Sequence, residues 1–437
     1  MNQLIDTTDN NSGKQLCLDD YAEHAENLKK LAEHTLKEMQ KDNPGLLIFP
    51  RDLNVYGDKI GDEHIFEIKD NKLTTGNIMG FVGYKNTKVR IRSRFDKGDK
   101  DFFLHYMLQK VFAINLFDLN YTIDEEDVFD FLIYLFPSFL MNALRQGLYK
   151  EYQTRRYNDS NVKGRIDINR HIRLNIPFNG KVAYSTREYV YDNHVTQLVR
   201  HTIEYISKHR LQGEILRANE EVKEAVRVII DATPSYNHNE RQKIVNQNLR
   251  PLYHPYFSDY RDLQKLCLQI LRHEEIKYGA ENDQVYGILF DGAWLWEEYL
   301  NTILSKINFK HPQNKIGIGA KRVFKEGSRS IFPDFYSSVM VLDAKYKGYE
   351  KWDSLQREDL YQVLSYMFIL QVLKGGFIVP VESYNETPLV RSLQGYGGKM
   401  SIFGMKVELA CQNFQKYTKA MEDNEKVIVD KILAFEK

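Results

Sequence analysis

The sequence predicts an α+β protein of several domains, and three observations carry that expectation. Short β-type runs cluster between Leu46 and Phe95, helical spacing dominates from Phe102 to about Tyr278, and from Val285 onward strand and helix signals alternate. The expected division is 1–100 as a small β-rich domain with a leading helix, 101–280 as a helical middle region, and 281–437 as an α/β core. With 437 residues, of which 43% are hydrophobic and 13% aromatic, the chain can fill two or three such cores.

Residues 1 to about 20 are polar and are expected to be mobile. Asp20 to Asp42 reads as one charged amphipathic helix, with Leu28, Leu31 and Leu36 among many Lys and Glu. The β-type runs that follow include Ile65, Ile68, Leu73, Ile78 and Phe81, set between Gly and Asn turns. The helical region breaks near Asn158-Asp159-Ser160-Asn161 and again at Pro177 to Gly180. Cys17, Cys267 and Cys411 are too widely spaced for a disulfide framework or a zinc site. No apolar signal core opens the chain, and Phe131 to Met141 is too short to span a bilayer, so a cytoplasmic protein without a membrane role is expected.

One window carries chemistry. It reads Pro333-Asp334, then Asp343-Ala344-Lys345, then Gln362-Val363-Leu364-Ser365-Tyr366. Val339 to Lys345 is a short apolar, β-branched run ending in charge, the pattern of a buried strand whose last residues emerge at a sheet edge. The two-residue period of a strand puts Asp343 and Lys345 on one face. A turn at Ser337-Ser338 folds Ile331 to Tyr336 back antiparallel, which brings Asp334 beside Asp343. Two carboxylates facing one point suit Mg2+, or Mn2+, because such an ion takes oxygen ligands and keeps several waters. A lysine beside them orients a water or stabilises negative charge that develops on phosphate oxygens. Asp353 and Ser354 are cap-type residues ahead of a helix that Gly375-Gly376 is expected to stop. On it Gln362 and Tyr366 share a face, so the glutamine can bond the water or a phosphate. Glu297 or Glu298, on a helix after Phe290, offers a further carboxylate, or simply a solvated helix face.

This residue order is that of the PD-(D/E)xK nucleases, and the window resembles the nuclease domain of the McrC family and of the related LlaJI-type restriction proteins. The resemblance extends upstream through Gly147-Leu148-Tyr149-Lys150-Glu151-Tyr152, Lys163-Gly164-Arg165-Ile166-Asp167-Ile168 and Tyr191-Asp192-Asn193, where the family more often has arginine in place of Lys163. Gly80-Phe81-Val82-Gly83 and Val89-Arg90-Ile91-Arg92-Ser93-Arg94-Phe95 resemble its N-terminal β module more loosely. The resemblance implies an endonuclease subunit that cuts double-stranded DNA with Mg2+. It also implies an McrB-like partner, an AAA+ GTPase forming a hexameric ring, which this subunit stimulates and whose pore its N-terminal region enters. Two other readings stay open: a non-catalytic stimulator of the ring, and a stand-alone nuclease of the same fold.

Charge and motifs fit a need for a partner. Lys and Arg total 60 against 60 Asp and Glu, so no global attraction holds DNA. Gly398-Lys399-Met400 lacks both the Ser/Thr and the upstream glycine of a phosphate-binding loop, so no nucleotide is expected on this chain. Arg90, Arg92 and Arg94 alternate with Val89, Ile91 and Ser93 and line one face of a strand, as a partner or DNA contact or as an ordinary solvated face.

Overall fold

The structure, a computed structural model, describes residues 4–13, 15–43, 46–50, 53, 60–97, 101–112, 126–208, 213–217, 219–277, 285–312, 319–327, 329–349, 351–383, 389–394, 397–409, 411 and 413–437. The chain forms two units, one from 1–131 with 279–437 and the other from 132–278. Among the described residues both helices and sheets are present in quantity, so the fold is mixed α+β.

In the first unit β1 (Leu4–Thr8) lies parallel to β7 (Thr87–Arg92), and β7 pairs antiparallel with β6 (Ile78–Tyr84). Beyond β6 come β11 (Tyr286–Asp291) and β3 (Leu46–Phe49), giving the order β1-β7-β6-β11-β3. Gly80 and Gly287 permit the close β6–β11 approach, because a Cβ on either would run into a carbonyl of the opposite strand. A smaller sheet holds β2 (Leu16–Cys17), β5 (Lys72–Thr75) and β4 (Phe66–Lys69). Helices α1 (Ala25–Glu33) and α2 (Leu36–Asp42) bury Leu28, Leu31 and Leu36 in one core with Ile78, Val82 and Ile91.

Two expectations for this region are corrected. Residues 4–8 are a strand, not a mobile tail: Ile5 and Thr7 point inward and the backbone pairs with β7. Tertiary pairing supplies what Leu-Ile-Asp-Thr-Thr, with only two large apolar residues, does not signal alone. The helix expected over Asp20 to Asp42 is broken at His34, because Thr35 caps α2 in a capping box with Glu38.

The C-terminal part of this unit builds a second sheet in the order β14-β15-β16-β18-β17. Its strands are β14 (Phe335–Tyr336), β15 (Met340–Ala344), β16 (Lys374–Val381), β17 (Leu389–Ser392) and β18 (Lys399–Lys406). Strands β15, β16 and β18 run parallel, and β14 and β17 pair antiparallel at the two edges. One face, with Val341, Phe377, Val379 and Ile402, packs on Val363, Tyr366 and Met367 of α11 (Arg357–Leu370). On α12 (Phe414–Glu436), Phe435 meets the Phe403 ring edge-on, and on α10 (Gly292–Leu304) the Trp296 indole donates to the Ile378 carbonyl at 3.4 Å. A short ribbon of β12 (Lys321–Arg322) and β13 (Ser330–Ile331) precedes β14. Helix α3 (Phe102–Phe112) joins this core, where the Tyr106 hydroxyl donates to Glu425 at 2.6 Å.

Helix α11 starts after Gln356, whose side chain makes no capping bond, while Asp353 and Ser354 belong to a separate 3-10 turn. The helix ends at Gln371, which adopts a left-handed conformation. The glycines expected to stop it, Gly375 and Gly376, lie in β16, where a Cβ would strike Met367 or the Ser401 carbonyl. They are there for packing.

The second unit contains most of α4 (Glu126–Arg145), then β8 (Glu151–Asp159), β9 (Arg165–Ile166), α5 (Ile168–Asn175), β10 (Val182–Val190), α6 (His194–Lys208), α7 (Glu220–Ala232), α8 (Arg241–Gln247) and α9 (Ser258–Lys277). The middle region is therefore not wholly helical: β8 and β10 pair along nine residues each. Glu-Tyr-Gln-Thr-Arg-Arg-Tyr-Asn-Asp in β8 has no apolar alternation, and the ribbon instead stacks Tyr157 on Tyr184 and Tyr152 on Tyr189 across its strands. Among the described residues no helix is long and apolar enough to cross a membrane.

Candidate metal-dependent active site

The edge hairpin sets the geometry. Phe335 pairs with Leu342 and Tyr336 with Val341, a register that puts Asp334 opposite Asp343 at the end of β15. The Ala344 amide donates to Asp334 Oδ2 at 2.7 Å. Asp343 is fully buried, and Lys345 Nζ lies 2.9 Å from its Oδ2. The same ammonium donates to Gln362 Oε1 at 3.1 Å, and Gln362 Nε2 donates to the Tyr366 hydroxyl at 2.7 Å. The Tyr366 hydroxyl donates in turn to the Phe332 carbonyl at 3.3 Å. The five residues read from the motif thus form one connected group at the C-terminal end of a parallel strand.

Glu297 and Glu298 part company. Glu297 lines the same cleft as Asp334 and Asp343, which has a volume of about 1130 Å³. Glu298 turns instead toward His311, with Oε1 3.8 Å from Nε2. His311 is a part of the site that the sequence reading missed: its Nδ1 lies 2.6 Å from the Asp334 carbonyl oxygen, and its ring stacks on Phe335. Asp359 was also missed. It lies 3.3 Å from Lys345 and 3.5 Å from Lys347, and accepts from the Tyr349 hydroxyl at 2.5 Å.

Acidic groups this close raise one another. Burial first, and then the Asp334 charge, push Asp343 up to about 8 despite the Lys345 ammonium. Burial raises Asp334 as well, against the pull of Lys345, and burial with Asp334 and Asp291 raises Glu297 well above the ordinary range. For Lys345, burial opposes the charge, but Asp343 and Asp334 outweigh it and hold the ammonium protonated. Asp359 goes the other way: burial works to raise it, but the Tyr349 hydrogen bond and the two lysines leave it lowered.

This donor set fits a divalent cation. Asp343 Oδ1 is buried and accepts no hydrogen bond, and mutual repulsion of the acids is what a cation would relieve. Among the described residues no group of three His, Cys, Asp or Glu is arranged to hold an ion outright. Two carboxylates with open positions suit an ion that keeps waters and accepts substrate oxygens, as Mg2+ does.

Arg90, Arg92 and Arg94 do not form a free basic face. Arg90 Nε lies 2.8 Å and Arg92 Nε 3.0 Å from the Asp6 carboxylate on β1, directly across the parallel pairing. Arg94 Nη1 lies 2.7 Å from Asp9 Oδ2, and its Nη2 donates to the Tyr346 carbonyl. The sequence spacing is consistent with a solvated face, but the acidic neighbours Asp6 and Asp9 cannot be seen from it. Exposed apolar surface lies elsewhere. In the second unit Ile166, Ile168, Ile172, Leu174, Ile176 and Phe178 are 49–70% exposed, beside Arg165, Arg170 and Arg173. Six large apolar side chains open to solvent within thirteen residues make this strip a candidate interaction surface.

The fold and cleft together define a mixed α+β protein with an acid-and-lysine site at a sheet edge. The chain belongs to the McrC family: the family model described as "McrBC 5-methylcytosine restriction system component" matches residues 73–380. A search of curated proteins returned no match. Among solved structures, one of Thermococcus gammatolerans, described as a half-complex from a tetradecameric assembly of McrB AAA+ hexamers with bound McrC, contains a chain of similar fold. The TM-score is 0.53 at 14% identity, over 96% of this chain and 100% of that one. A second, the cryo-EM structure of the Thermococcus gammatolerans McrBC complex, aligns at 17% identity with a TM-score of 0.36, over 70% of this chain and 88% of that one.

Proposed function

We propose that this chain is the DNA-cutting subunit of an McrBC-type restriction system, hydrolysing phosphodiesters of double-stranded DNA with Mg2+ while bound to an AAA+ GTPase ring that it stimulates. The observation that carries the reading is the register of Asp334 against Asp343 with Lys345 Nζ at 2.9 Å. On this reading the sheet β14-β15-β16-β18-β17 with α10 and α11 is a PD-(D/E)xK nuclease core. Asp334 and Asp343 hold the ion. When bound, it supplies Lewis-acid stabilisation of the phosphate and a more acidic water. Lys345 is already charged and aimed by Asp343, Asp359 and Gln362, so it can orient the attacking water or meet charge developing on a phosphate oxygen. Gln362 fixes the lysine and can offer its amide to the same water, and Glu297 adds a third carboxylate at the cleft wall.

The ring partner follows from family membership and from the likeness to a chain solved with McrB AAA+ hexamers. Beside the N-terminal region that the family resemblance sends into the pore, the exposed strip from Ile166 to Phe178 is a second surface open to the ring. The test is reconstitution with an McrB-type AAA+ GTPase. Mg2+-dependent double-strand cleavage should require both proteins and should be lost in Asp343→Ala, while stimulation of NTP hydrolysis persists. Cleavage at the wild-type rate by folded Asp343→Ala would remove the proposed site, and efficient cutting by the chain alone would favour a stand-alone nuclease.

A further inference from the structure

The residue that follows Lys345 is held by the N-terminal β module. Tyr346 is 3% exposed, and its hydroxyl lies 2.7 Å from Ser93 Oγ. Its ring is crossed by Phe95 at 4.9 Å and covered by the Arg94 guanidinium at 4.6 Å. Arg94 also donates to the Tyr346 carbonyl, while the buried Asp9 carboxylate, at 2.7 Å, and Asn77 Oδ1, at 3.2 Å, fix the other nitrogen of the guanidinium. Ser93, Arg94 and Phe95 therefore grip both the backbone and the ring of one residue in another part of the chain. On the far side the ring rests on the first turn of α10, the helix that carries Glu297. A Cβ on Gly292 would come within 2.8 Å of it.

We infer that Arg94 is a positioning residue for the nuclease site, setting Lys345 through Tyr346. The inference rests on the reading that Lys345 acts in cleavage. β15 ends at Ala344, so beyond its last backbone bond, from the Lys345 amide to the Ile378 carbonyl at 3.0 Å, no sheet register holds the chain. The next fixed point is the grip on Tyr346. An ammonium that must meet one oxygen of a phosphate is sensitive to displacements of about 1 Å, which can cost roughly a hundredfold in rate. A planar guanidinium is suited to this task because it can bond a carboxylate, an amide oxygen and a carbonyl in one plane while stacking on a ring. An ammonium cannot do all four.

Arg94→Lys in the full-length chain, assayed with its ring partner, tests this. The charge opposite Asp9 remains, but the fork and the stacking are lost. The expected result is a fall of about ten- to a hundredfold in kcat for cleavage, with KM for DNA, stimulated NTP hydrolysis and Tm close to wild type. Wild-type kcat overturns the inference, and so does a parallel loss of every readout together with Tm, which is the mark of a purely structural residue. If Arg94→Lys does not fold, Tyr346→Leu decides. It removes the ring that Arg94 covers and the Ser93 bond while leaving the Arg94–Asp9 pair in place; a lowered kcat at a Tm that still leaves the protein folded under assay supports the inference and an unchanged kcat overturns it. Asp343→Ala run in parallel separates the two ideas, since residual cutting there defeats the site itself rather than the role of Arg94.

Discussion

Neutralising Asp343 should stabilise the metal-free protein even as it ends cleavage. The carboxyl has an ordinary value of 3.8 and is pushed up to about 8 in the folded chain. For an acid raised on folding, the contribution is destabilising above the unfolded value and grows until the folded value is reached. At pH 7 the unfolded chain gains from ionising this residue across 3.2 pH units. At about 1.36 kcal/mol per unit that is roughly 4 kcal/mol, which the folded chain cannot collect. Asp343→Asn removes that advantage. Its amide must still turn its oxygen to Lys345 and its NH2 to Asp334, so about 2 kcal/mol of net stabilisation is expected, or on the order of 4 °C in Tm. The assay is thermal melting in chelator at pH 7 and at pH 5. Acidification by two units should take away roughly 3 kcal/mol, enough to abolish the gap or invert it, because the unfolded carboxyl loses its ionisation advantage at the same rate. Added Mg2+ should reverse the order, since only the wild type gains from binding it. A variant less stable than wild type in chelator at pH 7, or a gap indifferent to pH, would refute the reasoning.

Asp334→Ala and Lys345→Ala should each remove cleavage in the reconstituted system, measured on linear DNA, while ring assembly and NTP hydrolysis survive. Cleavage should run in Mg2+ or Mn2+, stop in chelator, and fail in Ca2+ despite DNA binding, because the looser calcium shell positions the water poorly; cutting in chelator would contradict the ion's role. Ile172→Ser with Phe178→Ser should weaken ring assembly several-fold without changing Tm by more than a degree or two, since both side chains are already exposed at 51% and 70%. Arg90→Ser with Arg92→Ser should leave assembly unchanged and instead loosen β1, seen as faster amide exchange at Leu4–Thr8, because both arginines serve Asp6.

The candidate site was legible because its residues are local in sequence. Asp334, Asp343 and Lys345 lie within one hairpin, where strand period and a two-serine turn fix who faces whom, and Gln362 with Tyr366 needed only helical spacing. What stayed hidden depends on partners distant in the chain. Nothing near Arg94 announces Asp9, 85 residues away, or Tyr346, 252 residues away. Asp359 lies in the first turn of a helix, where carboxylates are ordinary and single out no site. His311 lies outside the motif and reaches Asp334 only once the chain has folded back. Of the strands missed, β1 and β8 are polar and hold their place by backbone pairing and, in β8, cross-strand tyrosines, signals that hydrophobic periodicity does not carry.

Strand β11 bears on the order in which the protein can be made. It lies between β6 and β3, yet it is synthesised some two hundred residues after them. Until the ribosome has released Asp291, both β6 and β3 offer an apolar edge with no neighbour, and the residues of 132–278 emerge in the meantime. The first sheet must wait for a strand that belongs, by position, to the far side of an insertion. A fragment ending at residue 100 therefore leaves β6 and β3 bare on the sides that β11 covers and should aggregate. A chain in which 132–278 is replaced by a short linker still contains every strand of that sheet, and it is the natural minimal form in which to seek the nuclease site on its own.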